Sequence, residues 1–345
     1  MEMIEIDGSI GGGQVLRTAI GLSTLTLEPV KVFNIRADRP NPGVQAQHLA
    51  GVKAAKQFCK AEVEGAKLKS SEITFSPTKH DFSDKEIKIG TAGSIPLVMQ
   101  TIAPILVFAD RQVRVDIEGG TAGIGAPTIE YTKFVTFPNL RALGVLPPRM
   151  LVQKQGFFPK GGGFVRFELM PSAILRGREV LGKKPDKVQG MSVSGDLPSH
   201  VAKRQAEAAK KVLGDAGIQC DILASESSTE CPGSSITLWT QIGYSVLGAC
   251  ALGELGKPSE KVGEEAASSM VASISSGAAL DKKMVDQMVP FMALARDRSV
   301  VSVEEVTEHA KVNMSVVEAM LDVEFVINEN ARTISVDGIG FQRKN

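Results

Sequence analysis

The sequence predicts an α/β fold in which one unit of alternating strands and helices recurs along the chain. Glycine-rich turns that lead into helices occur at SIGGGQ, GTAGS and GGTAG, and such self-similarity indicates a duplicated unit. Residues 1–78 and 86–172 share the same order of apolar patterns, whereas residues 182–277 do not. A chain of 345 residues is long enough for about two or three domains.

The first unit spans residues 1–78. Ile4 and Ile6 alternate with acidic residues and predict a short strand, which is followed by a helix over 15–22 and a strand over 32–35. A second helix is predicted from four apolar side chains that share one face: Leu49, Val52, Ala55 and Cys59. A strand over 73–75 closes the unit, so the predicted order is βαβα followed by β.

The second unit repeats this rhythm over residues 86–172. An apolar helix follows GTAGS, and the next strand carries Val113, Val115 and Ile117 on one side. The turn GGTAG leads into a further helix, and GGFVRFEL is a further strand. A third unit begins near residue 278 with two helices and ends in ISVDGIG, which echoes the opening IEIDGSIG.

Residues 182–277 have a different character. A Lys-rich linker leads to the amphipathic helix HVAKRQAEAAKKVLGDAG, to strands near CDIL and SITLWTQ, and to a helix after Pro258. We therefore expect a main domain formed by residues 1–181 and 278–345, with residues 182–277 as a smaller inserted α/β domain.

Composition excludes several classes of protein. Lys+Arg and Asp+Glu are both 39, so the chain does not coat nucleic acid by net charge, although a few arginines could hold one strand end. One Trp and two Tyr argue against a general single-strand binder. The four cysteines lack the spacing of a zinc site, and no apolar run is long enough to span a membrane. We expect free thiols in a cytoplasmic protein.

The stretch IDGSIGGGQVLR, residues 6–17, has two interpretations. Glycines let the backbone approach an anion, and they also allow a tight structural turn. The stretch has neither the Lys-Ser/Thr of a P-loop nor the spacing of a dinucleotide-binding turn. The pattern alone does not decide between a phosphate site and a turn.

Six separated stretches together resemble the RNA 3′-terminal-phosphate cyclase family over nearly the whole chain. They are DGSIGGGQVLR, IRADRPNPGVQAQHL, GTAGSIPLVMQT, GFFPKGGG, VDQMVPFMALA and the histidine-containing TEHAKVN. The resemblance implies three βαβαββ-type repeats, a fold shared with enolpyruvyl transferases, and a smaller α/β domain inserted before the third repeat. It also implies an enzyme that converts an RNA 3′-phosphate to a 2′,3′-cyclic phosphate with ATP and Mg²⁺ or Mn²⁺. The family's reaction passes through histidine–AMP and RNA-3′-pp-5′-A intermediates.

The resemblance assigns the catalytic role to His309. A histidine is largely neutral at pH 7, so a ring nitrogen can attack the α-phosphate of ATP. The resemblance assigns substrate phosphates to five residues: Gln14, Arg17, Arg36, Arg39 and Gln47. Arginine suits this role because its guanidinium binds phosphate with two hydrogen bonds. Without the resemblance, a solvated turn is the favoured interpretation of IRADRP.

The resemblance also assigns a nucleotide site. Its members are Gln100, Lys283, Met284, Val285, Asp286, Gln287, Pro127 and Phe158. Gln100 stands out because an amide in an apolar helix costs about 1–3 kcal/mol unless it finds a partner in the core or in a ligand. The expected partners of the chain are thus an RNA 3′ end and ATP, with no membrane; the oligomeric state stays open.

Three positions depart from the family pattern. The first motif lacks two residues, including a glutamate that helps to hold the metal in the family, so the metal ligands here stay open. Ala122 and Gly123 replace polar residues, and Lys283 replaces an aromatic or histidine. These departures keep two alternatives in view: a non-catalytic cyclase-like protein acting in ribosome biogenesis, and an enolpyruvyl transferase.

Overall fold

The computed structural model describes residues 3–185 and 187–343. The first repeat comprises β1 (Ile4–Asp7), α1 (Gly13–Thr26), β2 (Val30–Phe33), α2 (Ala46–Gln57), β3 (Cys59–Glu64) and β4 (Ile73–His80). Its strands form one sheet in the order β1-β2-β4-β3, in which β1 and β2 are parallel and the other pairs are antiparallel.

The second repeat has the same topology. It comprises β5 (Lys85–Lys88), α3 (Ile95–Val107), β6 (Val113–Gly119), a second helical stretch, β7 (Arg149–Lys154) and β8 (Gly163–Leu169). The helical stretch runs through α4 (Ile129–Tyr131), a π-helical turn (Thr132–Thr136) and α5 (Phe137–Arg141). The strand order β5-β6-β8-β7 matches that of the first repeat.

The third repeat begins before the inserted segment, by which we mean residues 182–277. Its first strand is β9 (Glu179–Val180). The inserted segment contributes β10 (Val188–Gly195), α6 (His200–Asp215), β11 (Cys220–Ser227), β12 (Gly233–Ile242), β13 (Ser245–Leu252) and α7 (Ser259–Ser276). The repeat resumes with α8 (Lys282–Leu294), β14 (Arg296–Ser302), α9 (Glu308–Leu321), β15 (Phe325–Asn328) and β16 (Thr333–Ile339).

The strand order of the third sheet is β9-β14-β16-β15, so all three repeats share one arrangement. The predicted α/β fold with three βαβαββ-type repeats is confirmed. The insertion, however, follows the first strand of the third repeat and does not precede the repeat, because β9 pairs in parallel with β14. The inserted segment forms its own sheet, β11-β10-β12-β13, with its own apolar cluster under α6 and α7.

One helix was predicted too long. Cys59 does not belong to α2 but is the first residue of β3, because α2 ends at Gln57, Phe58 caps it, and Cys59 pairs with His80. Cys59 is buried as expected, but it faces the core from a strand. The helices of the three repeats share one continuous apolar core. Within the described ranges, no helix combines the length and the hydropathy needed to cross a bilayer.

Candidate active site

Helices α1, α2 and α9 meet at the glycine-rich turn between β1 and α1. Gly11 and Gly12 have φ values of +88° and +79°, which other residues rarely adopt. A Cβ on Gly11 would lie 2.4 Å from Cγ1 of Val312 in α9. A Cβ on Gly13 would lie 2.0 Å from Nε2 of His48 in α2. The glycines therefore let α2 and α9 approach the start of α1.

His48 is buried at this junction, with 2% of its surface exposed. Its Nδ1 accepts a hydrogen bond from the backbone N–H of Gln45 at 3.1 Å, so the neutral ring carries its hydrogen on Nε2. Nε2 has no hydrogen-bond partner in the described part of the chain. Burial, and then the charges of Arg17 and Arg36, lower the pKa of His48 to about 3. His48 is thus a neutral donor with an unused N–H.

Arginines surround His48 with further unused donors. The Nε atoms of Arg17 and Arg36 are buried and, among the described residues, make no hydrogen bond. Burial lowers the pKa of Arg17 to about 10, and the negative charge of Asp286 opposes that shift. Arg39 is exposed, and its Nε lies 3.5 Å from the position of a Cβ on Gly12. Unsatisfied cationic donors of this kind suit a phosphate ligand.

His309 lies in the first turn of α9, which Thr307 caps by accepting a hydrogen bond from the N–H of Ala310 at 3.1 Å. Its imidazole hydrogen-bonds to the backbone of Gly11. Burial, followed by the charges of Arg39 and Arg17, lowers the pKa of His309, and the hydrogen bond to Gly11 opposes the shift. The ring is therefore neutral near pH 7, beside the glycine turn and the arginines.

A narrow cleft lies beside this junction, between α1, α3, α8 and α9. Gln14, Arg17, Gln100, Asp286 and Gln287 all line it, so the structure brings together predicted residues from three repeats. Within the described ranges, neither the Gln14 nor the Gln100 amide makes a hydrogen bond to another residue. Gln100 is partly exposed, so its amide is available to solvent or to a ligand.

Asn313 completes the cleft and was not predicted from the sequence. Its Nδ2 donates to the backbone carbonyl of Asp286 at 2.6 Å, and its Oδ1 accepts from Thr18 Oγ1 at 2.6 Å. Burial raises the pKa of Asp286 to about 7, while the positive charge of Arg17 opposes the rise. Asn313 follows His309 by one helical turn, and this i, i+4 spacing was the available signal.

Comparison with known proteins agrees with this arrangement. A sequence model of the family described as RNA 3′-terminal phosphate cyclase matches residues 9–327. The chain belongs to this family. The relative of that name from Archaeoglobus fulgidus is 44% identical over 322 residues, covering 92% of this chain and 96% of the relative. The one from Pyrobaculum neutrophilum is 43% identical over 345 residues, covering 98% and 99%. The one from Methanosarcina barkeri is 43% identical over 329 residues, covering 95% and 97%.

The residues that the cyclase resemblance assigns to the nucleotide lie in three different environments. Met284 and Val285 are buried in the core, so their side chains do not face the cleft. Gln287 is already satisfied, since its Nε2 donates to the Lys283 carbonyl at 2.7 Å and its Oε1 accepts from Thr136 Oγ1 at 3.0 Å. Asp286 and Gln100 thus remain as the polar groups open to a ligand.

Lys283, Pro127 and Phe158 lie outside the cleft. Lys283 Nζ contacts Sγ of Cys250 in the inserted segment at 3.2 Å. Pro127 is buried just before α4. Phe158 lies on the turn between β7 and β8 with 73% of its surface exposed. A nucleotide that contacts all three would extend from the cleft toward the inserted segment.

Few side chains at the candidate site are suited to bind a metal ion. No group of three or more His, Cys, Asp or Glu side chains has metal-binding geometry in the described ranges. Asp7 is engaged by the N–H of Ser9 at 2.9 Å, and this hydrogen bond lowers the pKa of Asp7. A divalent cation in a cyclase of this kind would be held largely by phosphate oxygens with one carboxylate, as is common for Mg²⁺.

Proposed function

We propose that the chain catalyses the ATP-dependent conversion of an RNA 3′-phosphate to a 2′,3′-cyclic phosphate, through His309–AMP and RNA-3′-pp-5′-A. One observation carries the proposal. A neutral imidazole, His309, is held against Gly11 and beside Arg39 at the edge of a site rich in unused phosphate-binding donors. Family membership makes the chain an enzyme of the cyclase type, and the proposal specifies its chemistry.

The first step needs a nucleophile at neutral pH. One ring nitrogen of His309 is held by the Gly11 backbone, and the other keeps its lone pair because the pKa of the ring is lowered. That nitrogen attacks the α-phosphorus of ATP, a P–N bond forms, and the bond to pyrophosphate breaks with its electron pair on the leaving oxygen. Arg39 and Arg17 lie close enough to His309 to lower its pKa, and their charges would stabilise the negative charge that accumulates on the leaving group.

The second and third steps transfer AMP and close the ring. An oxygen of the RNA 3′-phosphate attacks the phosphorus of His309–AMP, which breaks the P–N bond and forms a phosphoanhydride. The ribose 2′-oxygen then attacks the 3′-phosphorus, its proton passes to solvent, and AMP leaves with the electrons of the broken P–O bond. Each transfer exchanges one bond to phosphorus for another, so no oxidant or reductant is required.

The terminal phosphate fits the junction of α1, α2 and α9. The donors available to it there are Nε of Arg17, Nε of Arg36 and Nε2–H of His48, all buried and without partners among the described residues. Gln14 and Gln47 complete this set in our proposal, and His48 joins it because of its geometry. The two guanidinium groups would neutralise phosphate charge directly, and the neutral His48 would add a hydrogen bond.

In our proposal ATP binds along this cleft and extends toward the inserted segment. In our proposal Gln100 and Asp286 hold the nucleotide, with the backbone around Met284, Val285 and Gln287 forming the wall. Lys283, Pro127 and Phe158 would lie around the base. Bound Mg²⁺ or Mn²⁺ would supply charge neutralisation at the polyphosphate.

A cyclisation assay tests this function. A short RNA with a 3′-phosphate is incubated with ATP and Mg²⁺ or Mn²⁺, and the product is examined for resistance to phosphatase. We expect cyclic product with the wild type and with His200→Ala, which removes an exposed histidine in the inserted segment. We expect none with His309→Ala. Equal product from His309→Ala would exclude the histidine–AMP route.

The alternative is a non-catalytic protein that binds RNA ends in ribosome biogenesis. The missing glutamate, together with the lack of a metal-binding cluster in the described ranges, favours it. It predicts RNA binding without cyclic product under either metal. The unused donors of Arg17, Arg36 and His48 fit both functions, whereas a histidine beside these arginines at the family's catalytic position favours the enzyme.

A further inference from the structure

A second groove lies between the second repeat and the inserted segment, outside the site described above. It has a volume of about 290 Å³ and is lined by β7, by the short helices after residue 129, and by residues of β10 and β11. β7 and β11 are the edge strands of their sheets, so the groove runs between two open sheet edges.

An unsatisfied carboxylate lines this groove. Glu130 is only 4% exposed, and its Oε1 accepts a hydrogen bond from Gln155 Nε2 at 2.7 Å. Its Oε2 has no partner in the part of the chain that the structure describes. Burial raises the pKa of Glu130, and the hydrogen bond from Gln155 opposes the rise. A buried acceptor without a donor costs about 1–3 kcal/mol, so an N–H donor from a ligand would be stabilising.

The walls of the groove suit a flat, uncharged group. Met150, Met191 and Val193 present apolar surface, and Phe134 stacks on Trp239 with ring centroids 4.2 Å apart. The charges at the groove roughly balance. Lys133 lies across the ring of Phe134, Lys154 pairs with Glu230 at 2.8 Å, and Glu226 lines the opposite side. A phosphate would gain little here, whereas an aromatic base would bury its faces.

The groove is one loop away from the proposed phosphate site. Gln155 lies at one end of the groove, and the turn between β7 and β8 follows it. This turn packs against residue 92, since a Cβ on Gly161 would lie 2.9 Å from Cα of Ala92. The next residue, Gly93, lies against α2, with Cα of Gln47 3.9 Å from the position of its Cβ. The turn therefore links the groove to the neighbourhood of Gln47 through Ala92 and Gly93, and the proposed RNA strand would cross it.

We propose that the groove binds one nucleobase upstream of the RNA 3′-phosphate, through an exocyclic amino group that donates to Oε2 of Glu130. The inference rests on the proposed function, since it assumes an RNA 3′ end in the adjacent site. Adenine, cytosine and guanine carry such an amino group. Uracil carries none, and the carbonyls on both sides of its N3–H would face the carboxylate. Uracil is therefore disfavoured at the one RNA position whose base enters the groove.

A substitution scan of the RNA tests the proposal. Oligonucleotides of cytosine ending in a 3′-phosphate are compared with versions that carry one uracil at each of the positions upstream of the last nucleotide. With the wild type, uracil at one position should weaken binding about tenfold, which corresponds to about 1.4 kcal/mol. Glu130→Gln should abolish the difference, because the amide offers uracil a donor. The control Glu324→Gln, at an exposed position of the third repeat, should keep it.

Two further readouts make each outcome decisive. Thermal melting establishes that Glu130→Gln is folded, and Met191→Glu, which places a charge on the opposite wall, should also remove the base preference. Absence of any position-dependent preference in the wild type, or a preference unchanged in both variants, overturns the inference. If cyclisation and His309 labelling persist in that case, the proposed function stands. If RNA is neither bound nor cyclised, both the proposed base site and the proposed function are wrong.

Discussion

Nε2 of His48 occupies the space that a side chain on Gly13 would need, since a Cβ there would lie 2.0 Å from that nitrogen. The glycine at the start of α1 and the histidine of α2 therefore depend on each other. This contact accounts for one of the three consecutive glycines, and it directs an unused N–H of His48 toward the start of α1.

Gly13→Ala should destabilise the protein by about 1–3 kcal/mol, because an added methyl group in a packed site forces its neighbours to move. His48→Ala in the same chain should restore much of that loss by removing the clash. The double variant should still bind 3′-phosphate RNA more weakly than the wild type. Urea unfolding and RNA titration measure the two effects. Equal stability of Gly13→Ala and the wild type would contradict the packing account.

Adenylation of His309 should persist at lower pH than an ordinary histidine allows. Burial, Arg39 and Arg17 lower its pKa, so the reactive neutral ring is lost only as the pH falls below the usual value of about 6.5. Arg39→Ala should move the acid limb of the rate profile toward higher pH, besides lowering the plateau. The control Arg149→Ala, at an exposed position, should leave the limb in place. An unchanged limb in Arg39→Ala would contradict the electrostatic account.

RNA binding should depend only weakly on salt. Arg17 and Arg36 lie at the proposed terminal-phosphate site and Arg39 lies beside His309, so at most three arginines act on phosphate charge, and each charge neutralised on a single strand contributes about −0.7 to the slope of log K against log salt. We expect a slope of about −2 for the wild type and a value about 0.7 shallower for Arg36→Ala. A slope steeper than about −5 would show that the chain contacts many phosphates, against our assignment.

The contact between Tyr131 and Asp281 should make stability depend on pH. Asp281 accepts hydrogen bonds from Tyr131 Oη at 2.7 and 2.9 Å and from the N–H of Gly248 in the inserted segment at 2.9 Å. Burial raises its pKa to about 6, while these bonds oppose the rise. The unfolded carboxyl ionises near pH 4, so this group's contribution to the free energy of unfolding is lost as the pH rises through about 6.

Tyr131→Phe removes a donor to the ionised carboxylate and should raise the pKa of Asp281 further. We expect destabilisation of about 1–3 kcal/mol, larger at pH 8 than at pH 5, because only the ionised form needs the lost hydrogen bond. Urea unfolding at both pH values measures it. A loss that is the same at pH 5 and pH 8 would mean that the hydroxyl contributes by packing alone.

The long helices of the repeats were predictable from the sequence because their apolar faces are long and periodic, whereas about half of the strands were not predicted. The edge strand β3 was not predicted, since CKAEVE is short and half polar, and Cys59 happened to continue the helical spacing of α2. The insertion point was missed for a similar reason. β9 has only two residues, and its pairing with β14 is a tertiary contact that local patterns do not encode.

The site residues that belong to a family motif were predicted from the sequence. The site residues whose role depends on contacts between repeats were not predicted. Arg17 and His309 belong to recognisable stretches. His48 is distinguished only by its contact with Gly13, and Asn313 by hydrogen bonds that join Thr18 to Asp286. These roles depend on helices from different repeats meeting, which the sequence of any one segment does not show.

The most direct test of the account is covalent labelling. The protein is incubated with ATP labelled at the α-phosphate and with Mg²⁺ or Mn²⁺, then denatured and examined for retained label. The account predicts acid-labile label on the wild type and on His200→Ala, and none on His309→Ala. Absence of label from the wild type with either metal, or retention of label by His309→Ala, would contradict the assignment of His309 as the nucleophile.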